Sequence, residues 1–203
     1  MKKLYAILLY CLAIPFLSSA QRFDDELHVP SGDIKTNLDT VNNFFIQDDN
    51  IIWQKIYQTH KTAPQIIEYF TTCGVFDVSY TKENTLGGSK NIHLIDYKKY
   101  GYRRMTTGDY ITKPVSYMVR IDVKDNQYRV SVYNIAFHSY KDLKRAWFSE
   151  NKNQINTLYE YAYNPRKKQF NNLFVSLASE PFSTHLTDLF TIHESKQIHL
   201  DTG

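Results

Sequence analysis

The sequence predicts an α+β domain, an antiparallel sheet followed by a helical C-terminal third. Three observations predict it. Residues 116–137 alternate apolar and polar around a two-residue break, the mark of a β-hairpin. The 203 residues include 16 Tyr and 12 Phe, amphipathic rings that suit a packed sheet face. Beyond residue 149 the apolar spacing changes from two to three and four, the period of helices. Hydrophobic content of 42% with 22% charge excludes wholesale disorder, and only 7 Gly and 6 Pro exclude collagen-like and linker-like chains.

The chain opens on an address. Lys2 and Lys3 precede the apolar run Leu4–Ile14, Pro15 breaks it, and Ser18-Ser19-Ala20 supplies small residues for cleavage. Residues 1–20 therefore read as a secretory signal peptide, whose apolar run to Leu17 is 14 residues, too short to span a bilayer, which needs ~20. Cys11 leaves with that segment, so Cys73 has no intramolecular disulfide partner. Its expected role is that of a small buried apolar residue at a helix end.

Charge divides unevenly. Residues 21–49 hold seven acidic and two basic residues, and the remainder, 50–203, carries a net +6. The acidic leader contains Pro30-Ser31-Gly32 and lacks sustained periodicity, so it reads as mostly irregular, with Val41–Ile46 able to dock as a short element. The domain proper is expected over 50–193, with a frayed tail over 194–203.

Ile51–Tyr57 is rich in β-branched and aromatic residues and reads as a strand. Thr62-Ala63-Pro64-Gln65 is a capping box with Pro in the first helical turn, and Ile66, Ile67, Tyr69, Phe70 and Cys73 continue at helical spacing to Gly74. Val75–Tyr80 alternates and reads as a half-buried strand. Leu86-Gly87-Gly88 reads as a turn, and Ile92–Tyr97 and Tyr100–Thr106 as weaker strands. In the hairpin, Tyr117, Val119, Ile121 and Val123 share a face that Tyr128, Val130 and Val132 resume after Asp125-Asn126. Helices are expected from Ser149 to the break at Asn164-Pro165, from Phe170 to the break at Glu180-Pro181, and around Leu186, Leu189 and Phe190.

The string Ser116–Val130, with Lys124-Asp125-Asn126-Gln127-Tyr128-Arg129 at its turn, resembles the Lys-Asp-Gly-x-Tyr-Arg hairpin of domain-of-unknown-function family 4468. Ile52–Tyr57 followed by a helix is also similar to that family's start. Asn126 stands where the family has Gly. The family comprises exported Bacteroidota proteins with a TBP-like fold. The resemblance implies a curved antiparallel sheet with helices packed on one face, and it supplies no catalytic residues.

The motif census excludes several chemistries. There is no nucleophile elbow, phosphate-cradling Gly loop or dinucleotide fingerprint. Seven His residues include no pair four apart, so no metal or cofactor is expected. Tyr97–Arg104 interleaves rings with Lys98, Lys99, Arg103 and Arg104, a candidate anion-binding surface, while a solvated edge strand is the plainer reading. Arg166-Lys167-Lys168 is a second basic run, read at a helix start. Export directs the expectation away from nucleic acid and toward a protein, glycan or lipid partner in the periplasm or at the cell surface. No transmembrane helix is expected once the signal is removed. The expected function is a non-enzymatic binding or assembly module. An envelope hydrolase acting on glycan or lipid, or a carrier of a small apolar ligand, are the alternatives.

Overall fold

The structure is a computed structural model that describes residues 40–138 and 156–193. The signal peptide, most of the acidic leader, the helix start at Ser149-Glu150 and the tail over 194–203 lie outside the described residues.

Among the described residues, nine strands and three α-helices follow in chain order. They are β1 (Phe44–Gln47), β2 (Asn50–Gln58), α1 (Ala63–Thr72), β3 (Val78–Lys82), β4 (Thr85–His93), β5 (Val115–Lys124) and β6 (Gln127–Phe137). After the gap come β7 (Asn156–Thr157), α2 (Leu158–Ala162), β8 (Tyr163–Asn164), β9 (Gln169–Phe170) and α3 (Ser179–Leu189). The main sheet is antiparallel in the order β1-β2-β6-β5-β4-β3, with β7 on the end of β6. The expected strand and hairpin therefore sit at its centre. β2 pairs β6 with Trp53 opposite Val132 and Tyr57 opposite Tyr128, and β5 pairs β6 with Val119 opposite Val132. Asn126 takes φ +64° at the turn, a conformation that Asn tolerates in place of Gly.

Period-two alternation turns Trp53, Tyr57, Val119, Ile121, Val123, Tyr128, Val130 and Val132 to one face, all of them buried. The helices cover that face. Trp53 Nε1–H donates to Ser183 Oγ on α3 at 2.9 Å, and the Tyr128 hydroxyl donates to the Phe190 carbonyl at 2.8 Å. Phe70 of α1 meets Tyr128 edge-on, and Phe137 and Phe44 meet Phe182. The aromatic excess is thus mostly the glue between sheet and helices.

α1 begins as expected: the Thr62 N–H donates to Gln65 Oε1 at 3.0 Å. A second cap comes from afar, because Asp125 in the hairpin turn accepts from the Ala63 N–H at 2.9 Å. Phe44, fully buried, puts β1 in the sheet ahead of the boundary expected at residue 50.

Several expectations fail, each for a physical reason. Leu86-Gly87-Gly88 is not a turn but the interior of β4, and the chain turns at Glu83-Asn84, where Glu83 takes φ +52°. The two glycines are backed by rings: a Cβ on Gly87 would lie 2.2 Å from Tyr80 Cζ, and one on Gly88 2.4 Å from Phe76 Cδ1. The strand beside them, β3, is exposed along its whole length rather than half-buried, because it is the sheet's last strand. The stretches 92–97 and 100–106 are not further strands. The connection from β4 to β5 instead makes three short 3₁₀ turns, Tyr97–Tyr100, Arg104–Thr106 and Asp109–Thr112. Glu180-Pro181 does not break the helix. Pro181 has no N–H for the preceding turn, and a wide π turn over Phe174–Ala178 leads into α3 and absorbs the mismatch. Cys73 ends α1 as expected but is exposed, not buried.

Candidate functional site

Chemistry-bearing side chains concentrate where α3 meets the connection between β4 and β5. His93 ends β4, Lys99 and Tyr100 lie in the first 3₁₀ turn, and His185 and Asp188 lie one turn apart on α3. The turn is set by its own sequence. Asp96 accepts from the Lys99 N–H at 3.3 Å, and Gly101 closes it at φ +82°.

Asp188 is the exposed-side hub. Its Oδ2 accepts from Lys99 Nζ at 2.7 Å and from the Tyr100 hydroxyl at 2.8 Å, and His193 Nε2 stands 3.8 Å from Oδ1. Lys99 first, then Tyr100, holds the Asp188 carboxyl below its ordinary value. Behind the hub, His185 Nε2 meets His93 Nε2 at 3.4 Å, the rings near parallel. His185 is buried, and desolvation followed by the charge of His93 lowers it to about 4. Burial lowers His93 as well. Both Nδ1 atoms, and the hydroxyl of Tyr117 beside His93, lie buried without a hydrogen-bond partner.

Of the sequence-predicted anion-binding residues, Lys99 is engaged by Asp188, while Lys98, Arg103 and Arg104 are exposed and make no ion pair among the described residues. They ride on 3₁₀ turns, not on an edge strand. Arg166, Lys167 and Lys168 also miss a helix start. They occupy the turn between β8 and β9, with Lys168 at φ +53°. His185 and Asp188 share α3 but face different partners. Asp122 and Asp125, three residues apart at the hairpin, also serve separate partners: Asp122 binds Arg120 and Arg129, each at 2.8 Å, and Asp125 caps α1. The described residues contain no group of three metal-ligating side chains. An open recess lined by Gln58, Thr59, His60, Asn126 and Ile192 offers one imidazole and no carboxylate.

The sequence reading missed the most accessible feature, the free edge of β3. Among the described residues β3 has a neighbour on one side only. Val78 and Tyr80, 62% and 52% exposed, project on the face without helices, and Ile56 joins them there from β2, 58% exposed. No Pro guards the strand, and one Lys, Lys82, ends it. Phe76 and Tyr80, seated on Gly88 and Gly87, hold it flat against β4.

Fold and site together define, among the described residues, an α+β protein with a helix-covered sheet face and an exposed sheet edge at β3. No helix among the described residues is long and apolar enough to cross a membrane. No protein-family model matches the chain, and no curated protein does. Two solved structures are similar to it. One is a TBP-like protein from Parabacteroides distasonis, at TM-score 0.41 and 10% identity over 71% of this chain and 93% of that one. The other is a DUF4468 family protein from Bacteroides ovatus, at TM-score 0.43 and 13% identity over 77% and 95%.

Proposed function

We propose that this is a non-enzymatic binding module of the bacterial envelope, exported by its N-terminal signal, that takes up an extended segment of a partner protein at the edge of β3. The carrying observation is that edge, with its five exposed residues and no Pro. An edge strand offers a row of unpaired N–H and C=O groups, and an added strand supplies their partners while side-chain pockets set specificity. Val78 and Tyr80 provide apolar contact for alternate residues of the incoming strand. The test is a photo-cross-linking residue at position 78 in the producing cell, with one at exposed Lys168 as control. The expected result is a discrete cross-linked envelope protein at 78 only, lost when Thr81→Lys is added. Equal labelling at both positions, or none at 78, overturns the reading.

The exposed Lys98, Arg103 and Arg104 support a second contact, with an anionic glycan or lipid headgroup. Salt-sensitive retention on heparin is expected, and Arg103→Ala/Arg104→Ala should weaken it. A native protein that passes through unretained ends this reading.

A further inference from the structure

The seam between α3 and the β4–β5 connection is held by few polar contacts. His93 meets His185 in the interior, and Lys99 and Tyr100 meet Asp188 at the rim. Beneath these contacts the connection buries Ile95 and Tyr97, at 3% and 8% exposure. The outward side of the same stretch carries exposed Ile92, Leu94 and Met105. The connection adds no strand between β4 and β5, so its position depends on this seam rather than on a sheet ladder.

We propose that the His93–His185 contact is an acid-released latch that holds the 94–106 connection on α3. At neutral pH both rings are uncharged, and one Nε2–H donates to the other Nε2. Only one proton fits between the two nitrogens. The first further proton enters at the donor ring's Nδ1, a buried charge on a nitrogen without a partner, and a second makes both rings imidazolium, removes the acceptor and sets two N–H donors 3.4 Å apart. The surroundings decide how easily that proton enters. Around His93 stand Lys90, Asp77, the Tyr117 ring, and the carbonyls of Asn91 and Val115. Around His185 stand Asp188, Asp96, Lys99 and the Tyr100 ring. The carboxylates are committed elsewhere: Asp77 to Lys90, Asp96 to the Lys99 N–H, and Asp188 to Lys99 and Tyr100. Burial therefore dominates, and both rings resist protonation while the seam is closed. Opening the seam wets both rings and restores their ordinary basicity, so acid selects the open form.

Hydrogen exchange of the full chain, read by mass spectrometry and corrected for the intrinsic pH dependence of exchange, tests this. Between pH 7 and pH 4.5, peptides covering 94–106 should lose protection at least tenfold more than peptides from β5 and β6. In His93→Gln/His185→Gln the amides can still pair but cannot titrate, and that difference should disappear. The near-ultraviolet circular dichroism of the variant at pH 7 checks that it is folded. Acid loss of protection spread evenly over the chain overturns the latch, as does a local loss that persists in the double variant. If the double variant does not fold, His93→Gln alone, carrying one titrating ring and one amide, should shift the local transition to lower pH; an unchanged midpoint overturns the proposal.

Discussion

Adding one methyl group at each of two adjacent glycines should have unequal effects, although the two clashes are almost equal. In Gly87→Ala the new Cβ would meet the Tyr80 ring at 2.2 Å, and in Gly88→Ala the Phe76 ring at 2.4 Å, so each ring must move. Tyr80 stands half in solvent and can swing outward. Phe76 is partly buried and packs against the core, so its displacement strains the neighbouring core residues. Overpacking a core costs about 1–3 kcal/mol. Replacing a strand Gly by Ala returns about 0.5–1 kcal/mol of backbone entropy. Gly87→Ala should then be neutral to within about 0.5 kcal/mol, and Gly88→Ala should destabilise by about 1–2 kcal/mol. Urea unfolding measures both. A double-mutant cycle adds the cause: in a Phe76→Ala background the cost of Gly88→Ala should vanish, a coupling of about 1–2 kcal/mol. Equal costs at the two glycines, or additivity with Phe76→Ala, would refute the claim that these rings back the edge strand.

Other expected outcomes follow from single contacts. Ser131→Ala strands the buried Gln54 amide, which donates to Ser131 Oγ at 2.8 Å, and should cost about 1–3 kcal/mol in urea unfolding, with Gln54→Leu added to it restoring most of the loss. Asp125→Ala removes the long-range cap on the Ala63 N–H and should cost about 1 kcal/mol, with faster amide exchange confined to the first turn of α1. Stability should also fall with acid. His185 has a folded pKa lowered to about 4 against 6.5 in the unfolded chain, so the unfolded state takes up the proton first. The contribution is complete above about pH 6.5 and is lost as pH falls to about 4, amounting to about 3 kcal/mol. Chemical denaturation across that range should show the decline, and His185→Gln should flatten it.

The hairpin and α1 were legible because their signals are local. Alternation through Ser116–Val132 and the Thr62–Gln65 box need no information from elsewhere in the chain. β4 was not legible, because Gly87 and Gly88 are poor strand residues until Phe76 and Tyr80 cover them, and only the β3–β4 register does that. Pro181 misled for a related reason, since the helix repairs itself with a π turn that no residue pattern announces. At the seam, Lys99 was legible as a cation but not as the partner of Asp188, and His93 and His185 stand 92 positions apart. No spacing rule joins such a pair. The open edge of β3 was hidden by its own alternation, which reads the same on a half-buried strand as on an exposed one.

The pairing of β2 with β6 has a kinetic side. Trp53 and Tyr57 find their partners Val132 and Tyr128 only after the intervening helix and three strands have been made. β3, β4, β5 and β6 can zip through successive local hairpins, whereas docking β2 requires closing the whole intervening loop, a step whose entropy slows folding. A chain emerging residue by residue therefore holds β2 paired with β1 alone, without its central partner, until the hairpin at Asn126 is complete. During that interval the open edge of β2 is the segment a chaperone would need to shield, and a probe on Trp53 should report the last phase of folding rather than the first.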